Sequence, residues 1–277
     1  MDYECGHLVW PDFNQRRCML DSRSSLDYAQ WTEWRASEYL AEYYSEVMAD
    51  EQHALAFLCE SVKRLPEVSV ALDYGCGPTV HHAAALAPKA LEIHLAEYLP
   101  DNRAAVQQWI DRTENAHDWN IFTRYIFQME GNESPSAEDI EEREQATRRR
   151  ITRILDSDAG DCDPLGPAMR GYYPLVTTHY CAEGATNSKE TWALYMRNII
   201  SLIKPGGTLI LSACGAADFY IVGDRMFPCA GVDGHDIMSC LQTNGFRDID
   251  LRVRNVPDHS EQGYGSVIFA CATKTDS

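Results

Sequence analysis

Leu72-Asp73-Tyr74-Gly75-Cys76-Gly77-Pro78-Thr79-Val80 is the stretch on which the reading of this 277-residue chain turns. An apolar run at 68–72 leads into it and an Ala-rich apolar segment follows, so it reads as strand, tight turn, helix. A second apolar run, 91–96, ends on the acid Glu97. Glycines in such a turn let a ligand approach the backbone, and the helix start offers free N–H groups. An acid at the tip of the neighbouring strand can take both hydroxyls of a ribose. The pattern predicts a nucleotide pocket built on Asp73, Gly75, Gly77, Thr79 and Glu97.

The spacing departs from that of a dinucleotide fold. Val80 stands where the third glycine of G-x-G-x-x-G belongs. With that glycine missing and Pro78-Thr79 beside the gap, the turn suits a mononucleoside better than a pyrophosphate. S-adenosylmethionine is the expected ligand, with S-adenosylhomocysteine as product.

Outward from this motif, strands and helices alternate, which predicts an α/β fold: a Rossmann-like, doubly wound, seven-stranded, mostly parallel sheet with the last strand antiparallel. Expected strands lie at 68–73, 91–97, 122–129, 174–179, 208–213, 249–253 and 267–272, the last two as a hairpin at the sheet edge. Expected helices lie at 80–87, 101–112, 138–155, 189–202 and 236–243. Residues 1–66 hold no convincing strand and are rich in Trp and Tyr, with a helical stripe from Ser37 to Lys63 that Pro66 ends. The expected division is an N-terminal helical cap, 1–66, on a nucleotide-binding domain, 67–277.

Composition narrows the partners. The net charge is −18, from 24 basic and 42 acidic residues, and a surface so negative repels phosphate backbones. Nucleic acid is not expected as substrate. No apolar run reaches the roughly 18–20 residues needed to span a bilayer, and no apolar signal core opens the chain. A cytoplasmic protein without membrane contact, acting on a small molecule as a monomer or weak homodimer, is expected. The ten cysteines show no C-x-x-C pair, and the adjacent His81 and His82 are expected on different helix faces, so no metal is expected.

The residues together resemble a family. Trp34 to Tyr44, with its Tyr39 and the Tyr43-Tyr44 pair, then Asp73 to Thr79, Glu97-Tyr98, Asn102, Glu130-Gly131-Asn132, Lys204-Pro205-Gly206-Gly207 and the run Tyr220 to Phe227 follow the order found in class I S-adenosylmethionine-dependent methyltransferases. The likeness is to their nicotinamide, phenylethanolamine and indolethylamine/thioether group, and it covers about residues 34–274. Cys76 stands where serine is usual. The resemblance implies Tyr39 and Tyr44 closing over the methionine end of the cofactor, Gly75 and Thr79 holding its carboxylate and amine, Glu97 on the ribose, Tyr98 and Asn102 beside the adenosine, and Asp158-Ala159 facing the adenine amine. A sulfonium facing tyrosine rings gains about 0.5–2 kcal/mol per ring.

Methyl transfer needs alignment and exclusion of water, and an amine acceptor must also lose a proton. Glu183, after the fourth strand, is the leading proton acceptor, and Glu261 is the second candidate. Tyr43, Phe219, Tyr220 and Cys229 are expected around the acceptor. By the resemblance, Ala213, Ala217 and Cys229 replace an acid and two serines that grip a carboxamide, which disfavours nicotinamide. The expected substrate is an amine on an apolar or aromatic body. S-methylation of a small thioether is the alternative, and a catalytically silent cofactor-binding partner protein is the alternative of another class.

Overall fold

The computed structural model describes residues 28–256 and 263–276. Nine strands, β1 (Val68–Tyr74), β2 (Ala90–Glu97), β3 (Ile151–Asp156), β4 (Tyr173–His179), β5 (Ile203–Gly215), β6 (Phe219–Val222), β7 (Arg225–Pro228), β8 (Phe246–Asn255) and β9 (Ser266–Lys274), form two sheets among the described residues. The main sheet has seven strands in the order β3-β2-β1-β4-β5-β9-β8. All its pairings are parallel except those of β9, which runs antiparallel to both β5 and β8. The expected late hairpin is present, but β9 inserts between β5 and β8 and leaves β8 at the edge. β6 and β7, on either side of Gly223, form a separate antiparallel pair that was not anticipated as strands.

Among the described residues eight α-helices accompany the sheet: α1 (Ala36–Tyr43), α2 (Ala49–Arg64), α3 (His81–Leu86), α4 (Pro100–Ile110), α5 (Asn120–Glu130), α6 (Ala137–Arg150), α7 (Lys189–Ile200) and α8 (Gly234–Thr243). Alternate residues of each central strand serve opposite faces. Ala71, Ile93, Leu95, Leu175 and Ile210 pack into one core with α2, α3 and α5. Val70, Leu72, Val176, Leu209 and Leu211 pack into the other with Trp192 and Met196 of α7 and Leu241 of α8.

Two expected elements are corrected. Residues 122–129 form most of helix α5, not the third strand; Phe122, Thr123 and Ile126 are its buried face, a spacing of helical period. Gly131, at φ 101°, then caps that helix rather than following a strand. The third strand is β3, carved from the end of the segment expected as one helix over 138–155. It is an edge strand in which Ile151 alone is buried, so it lacks the apolar run that marks an interior strand. The single expected helix over Ser37–Lys63 is two, α1 and α2. Leu55, Phe57 and Leu58 of α2 belong to the same core as the sheet, with Phe57 stacked on Phe269 at 5.5 Å, so the core crosses the expected boundary at 66/67.

After β1 the chain winds toward β2 and β3, and it later returns to place β4 on the other side of β1. That reversal opens a crevice beyond the C-terminal ends of β1 and β4, where ligands of open α/β sheets bind.

Candidate functional site

A cavity of about 490 Å³ occupies this crevice, a size that small ligands fill. Its floor is the turn after β1. Gly75 takes φ +70° and Gly77 φ +61°, a backbone region that suits glycine. A Cβ added to Gly75 would lie 2.0 Å from Cys181 Sγ and 2.6 Å from Cys181 Cβ, because the loops after β1 and β4 are pressed together here. Gly75→Ala is expected to lower the melting temperature by about 10 °C or more, and Cys181→Ala is not expected to rescue it, since the positive φ and the Cβ clash both remain. Thermal unfolding of the single and double variants checks this.

Glu97, at the tip of β2, is buried and fixes the turn to α4. Its Oε2 accepts from Gly77 N at 2.9 Å; its Oε1 accepts from Leu99 N at 2.8 Å and Asn102 Nδ2 at 3.1 Å. Burial raises its carboxyl above the ordinary range against the lowering effect of these donors. Asn102 Oδ1 in turn accepts from Trp34 Nε1 at 2.8 Å, which ties the segment before α1 to Glu97. Ala36 N donates to Asp101 Oδ2 at 2.7 Å and Tyr43 OH to Ile221 O at 2.7 Å. α1 is thereby laid across the cavity mouth, with Tyr39 4.9 Å from Trp34, 5.0 Å from Tyr43 and 5.5 Å from Tyr44, ring centre to ring centre.

Of the expected cofactor residues, Tyr39, Tyr44, Gly75, Gly77, Thr79 and Glu97 line this cavity, as do Tyr98, Asn102, Asp158 and Ala159. Asp158 Oδ1 accepts from Gly160 N at 2.7 Å and Asn198 Nδ2 donates to Ala159 O at 2.8 Å, which shapes that end of the cleft. Asp73 does not line it. Its carboxylate lies beneath the turn, accepting from Thr177 Oγ1 at 3.0 Å and facing His82 Nδ1 at 3.9 Å.

Of the expected acceptor-side residues, Tyr43, Glu183, Tyr220 and Cys229 line the cavity. Ala213, Ala217 and Phe219 stand outside the lining. Successive residues of a strand point to opposite faces; Cys214 faces the cavity, and Ala213 packs into the core on the other side. Ala217 is fully buried in the first core, and the Phe219 ring abuts Gly263. Glu261 lies outside the described residues.

Glu183 follows β4 through Tyr180, which takes a left-handed φ of 50°. Glu183 is buried, and its Oε1 accepts from Cys214 N at 3.0 Å. Burial pushes its carboxyl up to about 7, even though backbone N–H donors pull it down. A carboxyl that titrates near neutrality on a cavity wall can trade a proton with a bound ligand.

The inner wall holds residues that the sequence did not assign to the site: Asp50, Glu51, His82, His179, Tyr180 and Tyr264. Tyr264 OH donates to Asp50 Oδ2 at 2.7 Å. Glu51 Oε1 lies 2.8 Å from His81 Nε2 and 3.4 Å from His82 Nε2. His82 lines the cavity and His81 does not, but all of α3 is buried and Glu51 reaches both imidazoles. Burial drives the Glu51 carboxyl upward, but the two imidazoles outweigh it and hold it below the usual carboxylate range. Burial brings His81 down to about 4, and it also lowers His179, whose Nδ1 is paired with Ser212 Oγ.

The model of the NNMT/PNMT/TEMT family matches residues 24–275. Indolethylamine N-methyltransferase of Oryctolagus cuniculus is 28% identical over an alignment covering 63% of this chain and 65% of that protein. Phenylethanolamine N-methyltransferase of Macaca mulatta is 26% identical, over 73% of this chain and 72% of that one. Among solved structures, an N-methyltransferase of Bradyrhizobium japonicum in complex with S-adenosyl-l-homocysteine superposes with a TM-score of 0.52 at 12% identity, covering 87% of this chain and 99% of that chain, a likeness of fold. The matched span, the sheet order and the glycine turn at the switch point lead to one conclusion: this chain belongs to the NNMT/PNMT/TEMT family of S-adenosylmethionine-dependent methyltransferases.

Proposed function

We propose that this protein methylates the nitrogen of a small primary or secondary amine carried on an apolar or aromatic body. The observation that carries the reading is Glu183: a buried carboxylate on the cavity wall, pushed up to about 7 by burial, that accepts from Cys214 N at 3.0 Å. A neutral thioether or a pyridine nitrogen has no proton to give such a group. A protonated amine has one, and must give it up to expose its lone pair.

The bound cofactor supplies an electrophilic methyl on a sulfonium. Gly75, Gly77 and Thr79 fit its amino-acid end, because no side chain rises from the glycine turn; Glu97 would take the ribose hydroxyls and Asp158-Ala159 the adenine edge. Tyr39 and Tyr44 would face the sulfonium and shed water from it. Trp34 and Tyr220, with Cys214 and Cys229, give the acceptor an apolar seat. Glu183 pairs with the incoming ammonium, takes its proton and leaves the lone pair in line with the methyl. Asp50, held by Tyr264, adds a second negative wall that favours a cationic body.

No helix among the described residues is long and apolar enough to cross a membrane. Work in the cytoplasm as a monomer or weak homodimer, on small molecules and not on nucleic acid, is part of the proposal, supported by the net charge of −18. The test is a methyl-transfer assay on the full chain with a panel of aromatic and aliphatic amines, small thioethers and nicotinamide. Turnover of amines above all others is expected. Turnover confined to thioethers or nicotinamide, or cofactor binding without any transfer, overturns the reading.

A further inference from the structure

We propose that Glu51, His81 and His82 bind one divalent first-row transition-metal ion, its free coordination positions turned toward the cavity. Three observations converge. First, the donor atoms are gathered: one oxygen or nitrogen from each residue lies within 4.8 Å of the others, and all three residues are buried. Second, the spacing fits. Ligand atoms about 2.0–2.2 Å from a common ion stand about 2.9 Å apart at a right angle and about 3.4 Å apart at a tetrahedral one. Glu51 Oε1 lies 2.8 Å from His81 Nε2 and 3.4 Å from His82 Nε2.

Third, protons alone leave the cluster unsatisfied. His82 is 3% exposed, and its Nε2 faces Glu51 Oε1 at a long 3.4 Å, without the geometry of a hydrogen bond. A buried nitrogen in that state is destabilising, and coordination would remove that penalty. On the far side of the same ring Asp73 Oδ2 faces His82 Nδ1 at 3.9 Å, near enough for a small shift to bring the carboxylate onto that nitrogen as it stands behind metal-bound histidines. Glu51 and His82 line the cavity, whereas His81 lies behind them, stacked on Trp119 at 5.0 Å. An ion held by the three is therefore closed on the protein side and open on the ligand side, as in sites that accept an exogenous ligand. Two imidazoles and one carboxylate select zinc, iron(II) or cobalt(II) over magnesium or calcium, which take oxygen sets. Metal binding here is independent of which acceptor is methylated.

The experiment strips the full-length protein with a chelator and titrates it with Co²⁺, following visible absorption, and with Zn²⁺, following heat. One ion per chain is expected. Glu51→Gln and His82→Asn should each weaken binding at least tenfold. His235→Asn should leave it unchanged, because the exposed Asp233/His235/Asp236 group uses its acids to cap α8. If a variant does not fold, X-ray absorption of the zinc-loaded natural protein decides by counting imidazole ligands, with two expected. Absence of binding, fewer than two imidazoles, or binding that His235→Asn abolishes and His82→Asn spares, overturns the proposal.

Discussion

Replacing Glu97 with alanine is expected to weaken S-adenosylmethionine binding at least a hundredfold, measured by calorimetry. Two effects act together. The carboxylate is the acceptor aimed into the cleft at the tip of β2, and hydrogen bonds to a charged group contribute about 1.5–3 kcal/mol each, so losing two corresponds to two or more orders of magnitude. The same carboxylate also holds Gly77 N and the start of α4 through Leu99 and Asn102, so the turn loses its anchor. Glu97→Gln keeps the shape but turns an N–H₂ toward donors, and it should fall between the natural protein and alanine. A loss under tenfold in the alanine variant would remove Glu97 from the cofactor site.

Glu183→Gln should lower kcat by a hundredfold or more, in the range that general bases supply. The pH dependence separates a base from a mere packing residue. In the natural protein kcat/KM should rise through about pH 7 as Glu183 ionises; in the variant that limb should vanish and only the ionisation of the amine remain. Stability changes the other way. The folded-state pKa of this acid is raised from 4.5 to about 7, so the unfolded chain releases its proton first, and stability falls as pH climbs between those values. The loss amounts to about 3 kcal/mol by pH 8 for a fully buried group. Glu183→Gln is therefore expected to melt several degrees above the natural protein at pH 8 and close to it at pH 4. A variant that retains the neutral limb, or that melts lower at pH 8, would contradict the assigned role.

Much of the cavity floor was legible because it is local. Gly75, Gly77 and Thr79 share one turn, and Glu97 ends the next strand, so spacing alone brings them together. The inner wall is not local. Asp50, His82, His179 and Tyr264 come from α2, α3, β4 and the approach to β9, and only the sheet order joins them at one wall. Ala213 was expected at the cavity, but the alternation of β5 gives that place to Cys214. The strand at 122–129 was misread because Phe122, Thr123 and Ile126 are residues that also favour strands, while their spacing is that of a helix face. β3 was hidden because Ile151-Thr152-Arg153 at an exposed edge looks like the continuation of a charged helix.

The most direct measurement incubates the full-length protein with methyl-labelled S-adenosylmethionine and a cell extract, and locates the label by mass spectrometry and NMR. The account predicts a labelled N-methyl on a small amine with an apolar or aromatic body, its formation slowed by Glu183→Gln. Label on a thioether sulfur, or no labelled product although the cofactor binds, would contradict it.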